Sequence, residues 1–378
     1  MRVWLGTLKN LKPPALMLCC AFICGGNFGA IAADFAVLTD VPRSQTTGEE
    51  QPPECQISLS GTIQSGDHAS FLQTLTEYWT KVEKFPSEGG FPDIVVFCLD
   101  SPGGSVVEAL KIAEEIRRRK DFIFDGVSFI ETRLAAGSSC LSACALIFLS
   151  GTFNGFEDSP IPYRSMHPTA RLGIHAPSLA LPNEAGQFPS SAIQEAYAAS
   201  IETIAETLRV LHLGEDSGGV SYGGEEEWIR GSLVTRMLQT APEGMYYVDS
   251  IDDVGRWGIT VSPLPRLQID PQTAATACYN YISWSEGRSV SDTVRSVRQS
   301  GINFGLADET TYNFATYAAG TSTAYEVLVH EYHGYRCIVG TRFGAPVIRY
   351  EGTEVTESDL LNIHFYEGSR KLKDIGVE

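Results

Sequence analysis

A serine and a histidine in the central part of the chain could together carry out nucleophilic catalysis. Ser142 lies in the segment Cys140-Leu-Ser-Ala-Cys144. A serine hydroxyl is a weak nucleophile until a neighbouring base takes its proton. His175 is the best-placed base because it follows a predicted strand, whereas the other histidines of this region lie in a turn, in a loop or near a helix end: His68, His167 and His212. These residues predict acyl transfer at Ser142, with His175 as the base.

Acyl transfer also needs two N–H groups aimed at one point, because the tetrahedral intermediate places negative charge on the former carbonyl oxygen. Gly104, in the turn Ser101-Pro-Gly-Gly-Ser105, is one candidate donor, and Ala143 is the other. Glycine lets the backbone approach a substrate closely, and a helix beginning near Ser142 contributes its positive end. We therefore predict an oxyanion hole formed by Gly104 and Ala143.

Two further groups of residues could carry a different chemistry. Cys140 and Cys144 could be a thiol nucleophile or a metal pair, but no second Cys/His pair lies at ligand spacing, so a disulfide or two buried thiols is the preferred interpretation. His330 and His333 flank Glu331 without the His-Glu-x-x-His spacing of zinc hydrolases. The sequence therefore predicts neither a metal nor another cofactor.

The elements that must position these residues alternate between strand and helix. Period-two and continuous apolar runs predict strands, and capping boxes at Ser105/Glu108 and Ser191/Gln194 begin two of the amphipathic helices. The predicted strands span residues 56–63, 94–99, 127–134 and 171–174, and the predicted helices span residues 68–82, 106–116, 191–213 and 228–238. This order is typical of an α/β fold with a parallel sheet.

Four of these segments resemble the ClpP-type serine peptidases of the ClpP/crotonase superfamily, and more closely their exported relatives. The segments occur in family order within residues 55–262, and in that family they are the first strand, the oxyanion turn, the nucleophile and the base: Leu59-Ser-Gly-Thr-Ile63, Ser101-Pro-Gly-Gly-Ser-Val106, Ser142-Ala-Cys-Ala145 and Gly173-Ile-His-Ala-Pro177. The resemblance implies a superhelix of ββα units with a long helical extension after His175.

The same resemblance implies a hydrolase that acts on a polypeptide and assembles as a homo-oligomer. The family's third catalytic residue is an acid, and the matching stretch offers Glu243, with Asp249 as the alternative. Two other functions stay open at this point. One is a catalytically silent binding or assembly module, and the other is an acyl-CoA enzyme of the crotonase type, which export away from coenzyme A disfavours.

The amino terminus predicts export to the periplasm or the medium. Three basic residues, an apolar run and Ala30-Ile-Ala32 come in the order of a signal peptide, which predicts cleavage after Ala32 or Ala33. Removing those residues changes the net charge from −18 to −21 and leaves six cysteines. Such a charge disfavours nucleic acid and anionic lipid as partners. No later stretch is apolar enough to span a membrane.

Composition also divides the chain. We expect a signal peptide over residues 1–33, a flexible lead-in over 34–54, a ClpP/crotonase-like domain over 55–265 and a small α+β domain over 266–378. Cys278 and Cys337 are the only cysteines of the last segment. Because export favours oxidation, we predict that they form a disulfide.

Overall fold

The computed structural model describes twelve stretches of the chain: residues 32–38, 55–82, 95–118, 130–154, 160–177, 189–211, 229–292, 308–312, 322–330, 335–342, 344–351 and 355–376. All of them belong to one unit, Ile31–Glu378. The predicted signal peptide, apart from its last two alanines, and His212, Glu331 and His333 lie outside these residues.

Strands and helices alternate through the first part of the chain, and strands dominate the last part. The strands are β1 Asp34–Val37, β2 Ile57–Ser60, β3 Val95–Asp100, β4 Ile130–Leu134, β5 Ser139–Leu141, β6 Thr152–Asn154, β7 Pro160–Pro162, β8 Arg164–Met166, β9 Arg171–Ile174, β10 Tyr246–Tyr247, β11 Thr260–Val261, β12 Asp308–Tyr312, β13 Ser322–His330, β14 Tyr335–Arg342, β15 Ala345–Glu351 and β16 Val355–Asp359. The helices are α1 Asp67–Val82, α2 Val106–Arg118, α3 Ala143–Leu149, α4 Ser190–Leu211, α5 Gly231–Gln239, α6 Ile251–Arg256 and α7 Pro271–Ser285.

A mixed sheet of eight strands forms the base of the fold. Its strand order is β1-β2-β3-β4-β6-β7, with β8 paired to β4 and β11 paired to β8. The pairs β2–β3, β3–β4, β4–β8 and β8–β11 are parallel. Apolar side chains of β2, β3 and β4 pack with those of α1, α2 and α3 in one core. The α/β class predicted from the sequence is therefore confirmed.

A second sheet of three strands, in the order β10-β9-β5, starts where the central strand β3 ends. The Ser101 N–H donates to the Ser139 carbonyl at 2.7 Å, and the Leu141 N–H donates to the Ser101 carbonyl at 3.0 Å. These two bonds place β5 at the carboxyl end of the large sheet. Ligands of open α/β sheets bind at that end.

Buried Glu108 fixes the start of α2, which directly follows the glycine turn. The Ser105 hydroxyl accepts from the Glu108 N–H at 3.3 Å, as the predicted capping box requires. The Glu108 carboxylate does not complete that box. It accepts instead from the N–H groups of Gly66 and His68 at 3.2 and 3.1 Å, and the Lys111 ammonium beside it lowers its pKa. The glycine turn is thereby joined to the start of α1.

The first residues of the predicted lead-in are not loose. Residues 34–37 form β1, which pairs antiparallel with β2 at the edge of the large sheet. Phe35 lies 6.2 Å from Phe71 and 6.5 Å from Phe97, measured between ring centroids. Packing of this partly buried ring against the core stabilises β1, although the Pro- and Glu-rich residues that follow it predicted a loose segment.

The carboxy-terminal part consists of α7 and an antiparallel sheet in the order β12-β13-β14-β15-β16. Cys278 on α7 forms a disulfide with Cys337 on β14, as predicted. Both cysteines are buried in an apolar cluster between the helix and the sheet. Trp284, Tyr366 and Leu372 also join the core of the large sheet. The predicted boundary at residue 265 stays a prediction.

We expect removal of the Cys278–Cys337 disulfide to lower the free energy of unfolding by roughly 4 kcal/mol, because 59 positions separate the two cysteines and closing so long a loop removes much entropy from the unfolded chain. Urea unfolding of Cys278→Ala/Cys337→Ala against the wild type measures this difference. Equal unfolding free energies, or peptide maps that show both thiols free in the wild type, would contradict the assignment.

His364 gives this region a dependence on pH. Its ring lies 5.1 Å from the Trp284 ring and 6.4 Å from the Tyr281 ring, and burial lowers its pKa from 6.5 to about 4. Between these two values the unfolded chain binds more protons than the folded protein, so the free energy of unfolding falls as the pH is lowered. We expect a loss of at most about 3 kcal/mol from pH 7 to pH 4. Urea unfolding at several pH values in this range gives the free energy of unfolding as a function of pH. This free energy should change less with pH in His364→Gln than in the wild type, and an equal change in both proteins would contradict the assignment.

Candidate active site

Ser142 occupies a strained turn between β5 and α3. Its backbone has φ 56° and ψ −124°, and among the described residues it is the only one other than glycine with positive φ. Such a conformation costs of order 1–3 kcal/mol and persists only where its surroundings impose it. The Ser142 N–H donates to the Gly173 carbonyl at 3.0 Å, and the Ala145 N–H donates to the Ser142 carbonyl at 2.9 Å. A strained serine between a strand and a helix is also the arrangement of the nucleophile elbow in α/β hydrolases.

His175 reaches the serine from the end of β9. Because β5 and β9 are parallel neighbours, with Leu141 opposite Gly173, the residues that follow the two strands lie side by side. The distance from His175 Nε2 to Ser142 Oγ is 2.8 Å, within the reach required of a general base. The structure thus brings together the two residues that the sequence singled out.

The hydrogen bond made by Nδ1, the other ring nitrogen of His175, determines which of the two nitrogens carries the proton in the neutral ring. His175 Nδ1 is 2.8 Å from the carbonyl oxygen of Ala176, which can only accept a hydrogen bond. Nδ1 therefore carries the proton in the neutral ring, and Nε2 is free to accept from the serine hydroxyl. The Ala176 N–H in turn donates to the Thr240 carbonyl at 2.9 Å, which holds this peptide in place.

The predicted acid is not at the site. Glu243 is exposed in the loop before β10, and within the described residues it makes no hydrogen bond to His175. Asp249, the alternative, forms an exposed ion pair with Lys371 at 2.6 Å. The prediction of Glu243 as the orienting residue is therefore wrong in this structure. His175 Nδ1 instead contacts the backbone carbonyl of Ala176, and the residue types of a sequence do not reveal a backbone contact.

The glycine turn lies directly against the serine. A Cβ atom on Gly103 would come within 2.8 Å of the Ser142 Cβ, and a Cβ on Gly104 would come within 2.2 Å of the Ile63 carbonyl oxygen. Both glycines have positive φ, of 96° and 140°. Only glycine satisfies both the conformation and the space at these two positions.

Hydrogen bonding singles out Gly104 as the donor that the turn leaves available. The Gly103 N–H donates to the Ser101 hydroxyl at 3.1 Å, and the Ser105 N–H donates to the Ile63 carbonyl at 2.9 Å. The Gly104 N–H between them has no acceptor among the described residues. Ala143 is the first residue of α3, where an N–H has no partner within the helix. Both predicted oxyanion donors are thus available.

A pocket of about 80 Å³ joins these groups. Ser142, His175, Gly104 and Ala143 all line it, and the remaining lining residues are apolar: Val106, Ala145, Leu146, Ile174, Pro177 and Met237. A small apolar pocket with a few convergent polar groups is the usual form of a ligand site. A substrate acyl group bound in this pocket would lie against the serine.

A disulfide between Cys140 and Cys144 spans Ser142, and a second disulfide joins Cys55 to Cys98. The sequence left the pairing of these four cysteines open. A disulfide rather than a thiol or metal pair is therefore the correct interpretation of Cys140 and Cys144. In the described part of the chain no group of three or more His, Cys, Asp or Glu residues could hold a metal ion.

The remaining histidines of this region that the structure describes do not reach the site. The His167 ring is 2.8 Å from the Thr169 hydroxyl and lines a second pocket, of about 450 Å³, beside β4 and β8. His68 lies in the first turn of α1, where its backbone N–H donates to the Glu108 carboxylate at 3.1 Å. The choice of His175 among these candidates therefore agrees with the geometry.

No protein-family model matches the sequence, and none of the curated proteins compared with it is similar enough to count as a relative. The three disulfides are compatible with an extracellular or periplasmic protein. None of the helices in the described ranges combines the length and apolar character of a bilayer-spanning helix. These comparisons therefore assign no function to the chain.

Proposed function

We propose that this protein is an extracytoplasmic serine hydrolase, specifically a ClpP-like peptidase of the ClpP/crotonase fold that acts through an acyl-enzyme on Ser142. The observation that carries the proposal is the 2.8 Å contact between Ser142 Oγ and His175 Nε2 at a strained serine. A polypeptide substrate and a homo-oligomeric assembly are part of the same proposal. They rest on the resemblance of the four sequence segments.

In the first half of the reaction, the hydroxyl oxygen of Ser142 attacks the carbonyl carbon of the scissile bond while Nε2 of His175 takes the hydroxyl proton. The electron pair of the carbonyl moves to its oxygen. The N–H groups of Gly104 and Ala143 bind this oxyanion, which is how such sites stabilise the transition state. The intermediate then collapses and expels the leaving amine. That amine takes the proton from Nε2, and the acyl group stays on Ser142.

In the second half, a water molecule replaces the amine. His175 takes a proton from the water as the water attacks the ester, and it returns this proton to Ser142 Oγ as the acid product leaves. The ring becomes positively charged twice in each cycle. Its only orienting partner in the described residues is the neutral Ala176 carbonyl, which stabilises that charge less than a carboxylate does. We therefore propose a Ser/His dyad rather than a triad.

The lack of an orienting acid beside His175 among the described residues also favours the second candidate, a silent binding or assembly module that keeps the scaffold. The strained backbone of Ser142 supports the hydrolase instead, since a module without catalysis gains nothing from this strain.

Labelling with a fluorophosphonate separates the two functions, because it requires an activated serine. We expect the folded protein to be labelled at one site, Ser142→Ala to remain unlabelled and Ser139→Ala to react like the wild type. Ser139 is a suitable control because it lies on the same strand and only its backbone contributes to the contacts described above. Folded, processed protein that never reacts, or labelling that persists in Ser142→Ala, would leave the silent module as the function.

A further inference from the structure

The Cys140–Cys144 disulfide differs from the other two in what it encloses. It joins the middle of β5 to the first turn of α3 across only four positions, and the residues inside the ring are Leu141, Ser142 and Ala143. The Cys55–Cys98 and Cys278–Cys337 disulfides span 43 and 59 positions and link distant elements. A disulfide stabilises the fold less when its loop is shorter. The Cys140–Cys144 disulfide is therefore expected to stabilise the whole fold least of the three, yet it is the disulfide that encloses Ser142.

The covalent ring closed by the Cys140–Cys144 disulfide limits the backbone conformations that are open to Ser142. The Cα atoms of Cys140 and Cys144 are 5.2 Å apart, whereas four extended residues span about 13 Å. Return of the serine to negative φ would redirect the peptides on either side of it. Because the disulfide joins positions 140 and 144, the backbone angles of the three residues between them would have to accommodate such a change. The cross-link therefore favours the compact turn that the strained serine needs.

The groups on either side of the ring are also the groups that the reaction uses. Ser142 Oγ must stay 2.8 Å from His175 Nε2, and Ala143 must present its N–H to the same pocket. Both cysteine side chains are fully buried, so the bond is protected from thiols in solution. That protection favours a permanent brace over a redox switch.

We propose that the Cys140–Cys144 disulfide is a positioning device, which holds Ser142 in its strained conformation and thereby keeps its hydroxyl within reach of His175. The inference rests on the proposed hydrolase function for its rate effect. Its structural content, the hydrogen bond between serine and histidine, can be measured without any turnover.

The test uses the full processed protein with the substitution Cys140→Ala/Cys144→Ala. We expect the rate constant for fluorophosphonate labelling to fall at least tenfold. We also expect the ¹⁵N signal of His175 Nε2 to move to its position in Ser142→Ala, because the hydroxyl no longer donates to it. Cys278→Ala/Cys337→Ala is the matched control, and below its unfolding transition it should react at the wild-type rate with an unchanged His175 signal.

Other outcomes overturn the inference. If the Cys140/Cys144 variant reacts at the wild-type rate with an unchanged His175 signal, the disulfide does not position the serine. Cys140→Val/Cys144→Ala refills the buried space in case the first variant does not fold. Failure of both to fold would make the bond a requirement for folding instead. If the wild type is never labelled, the hydrolase proposal fails separately, and the His175 signal alone decides the inference.

Discussion

His175→Ala is expected to lower the rate of acylation at Ser142 by about a thousandfold. General-base catalysis contributes two to four orders of magnitude, and the 2.8 Å contact makes Nε2 of His175 the acceptor of the serine proton. Without the ring, water is the remaining acceptor, and the Ser142 hydroxyl returns to its ordinary low reactivity. The labelling rate of folded protein under a fixed concentration of fluorophosphonate measures this effect.

His167→Ala is the matched control for this experiment. His167 follows β8 and contacts Thr169, in a pocket that does not include Ser142. It should therefore react like the wild type. A His175 variant that is labelled as fast as the wild type, or an equal loss in both variants, would show that the observed contact is not used in catalysis.

Gly104→Val is expected to lower the acylation rate by at least about a hundredfold, the typical effect of losing one oxyanion donor. Gly104 has φ 140°, and any Cβ there would lie 2.2 Å from the Ile63 carbonyl oxygen. Because that contact is with backbone, the turn itself must shift. The N–H of residue 104 is then displaced together with the turn.

Gly344→Ala separates this effect from backbone strain. Gly344 has φ 82° with nothing within 4 Å of its Cβ position, so its replacement costs conformational energy without a clash. It lies in the carboxy-terminal sheet, between β14 and β15. We expect wild-type labelling per folded molecule from this variant. If Gly104→Val retains the wild-type rate while folded, Gly104 is not an oxyanion donor.

The sequence predicted the parts of the site that depend on local pattern. Ser142 at a helix start, His175 at a strand end and the glycine turn after β3 follow from apolar periodicity and from the conformational freedom of glycine. These patterns act within a few residues. The parallel pairing of β5 and β9, which places Ser142 beside His175, is not predicted by the sequence, because residues 139–141 carry no strand pattern of their own.

Three features of the structure are not predicted by the sequence: the partner of His175 Nδ1, the pairing of four cysteines and the contacts of the Glu108 carboxylate. The partner of His175 Nδ1 is the backbone of Ala176, so the expected acid at position 243 has no counterpart. Four cysteines allow three pairings, and spacing alone cannot choose among them. The carboxylate of Glu108 was predicted to cap its own helix, yet it binds α1 across 40 or more positions. The Glu108 contacts and the Cys55–Cys98 disulfide join segments far apart in the sequence, which the pattern of neighbouring residues does not predict. The Ala176 contact uses a backbone carbonyl, which residue types do not reveal.

The central claim is that Ser142 forms an acyl-enzyme, and trapping that species tests it most directly. Processed protein is mixed with p-nitrophenyl acyl esters of increasing chain length, quenched in acid and analysed by intact mass and peptide mapping. We predict one added acyl group on the peptide that contains Ser142, its absence in Ser142→Ala and its slow loss when excess ester is removed. Folded protein that never carries an acyl group with any ester, or an acyl group that also appears in Ser142→Ala, would contradict the account.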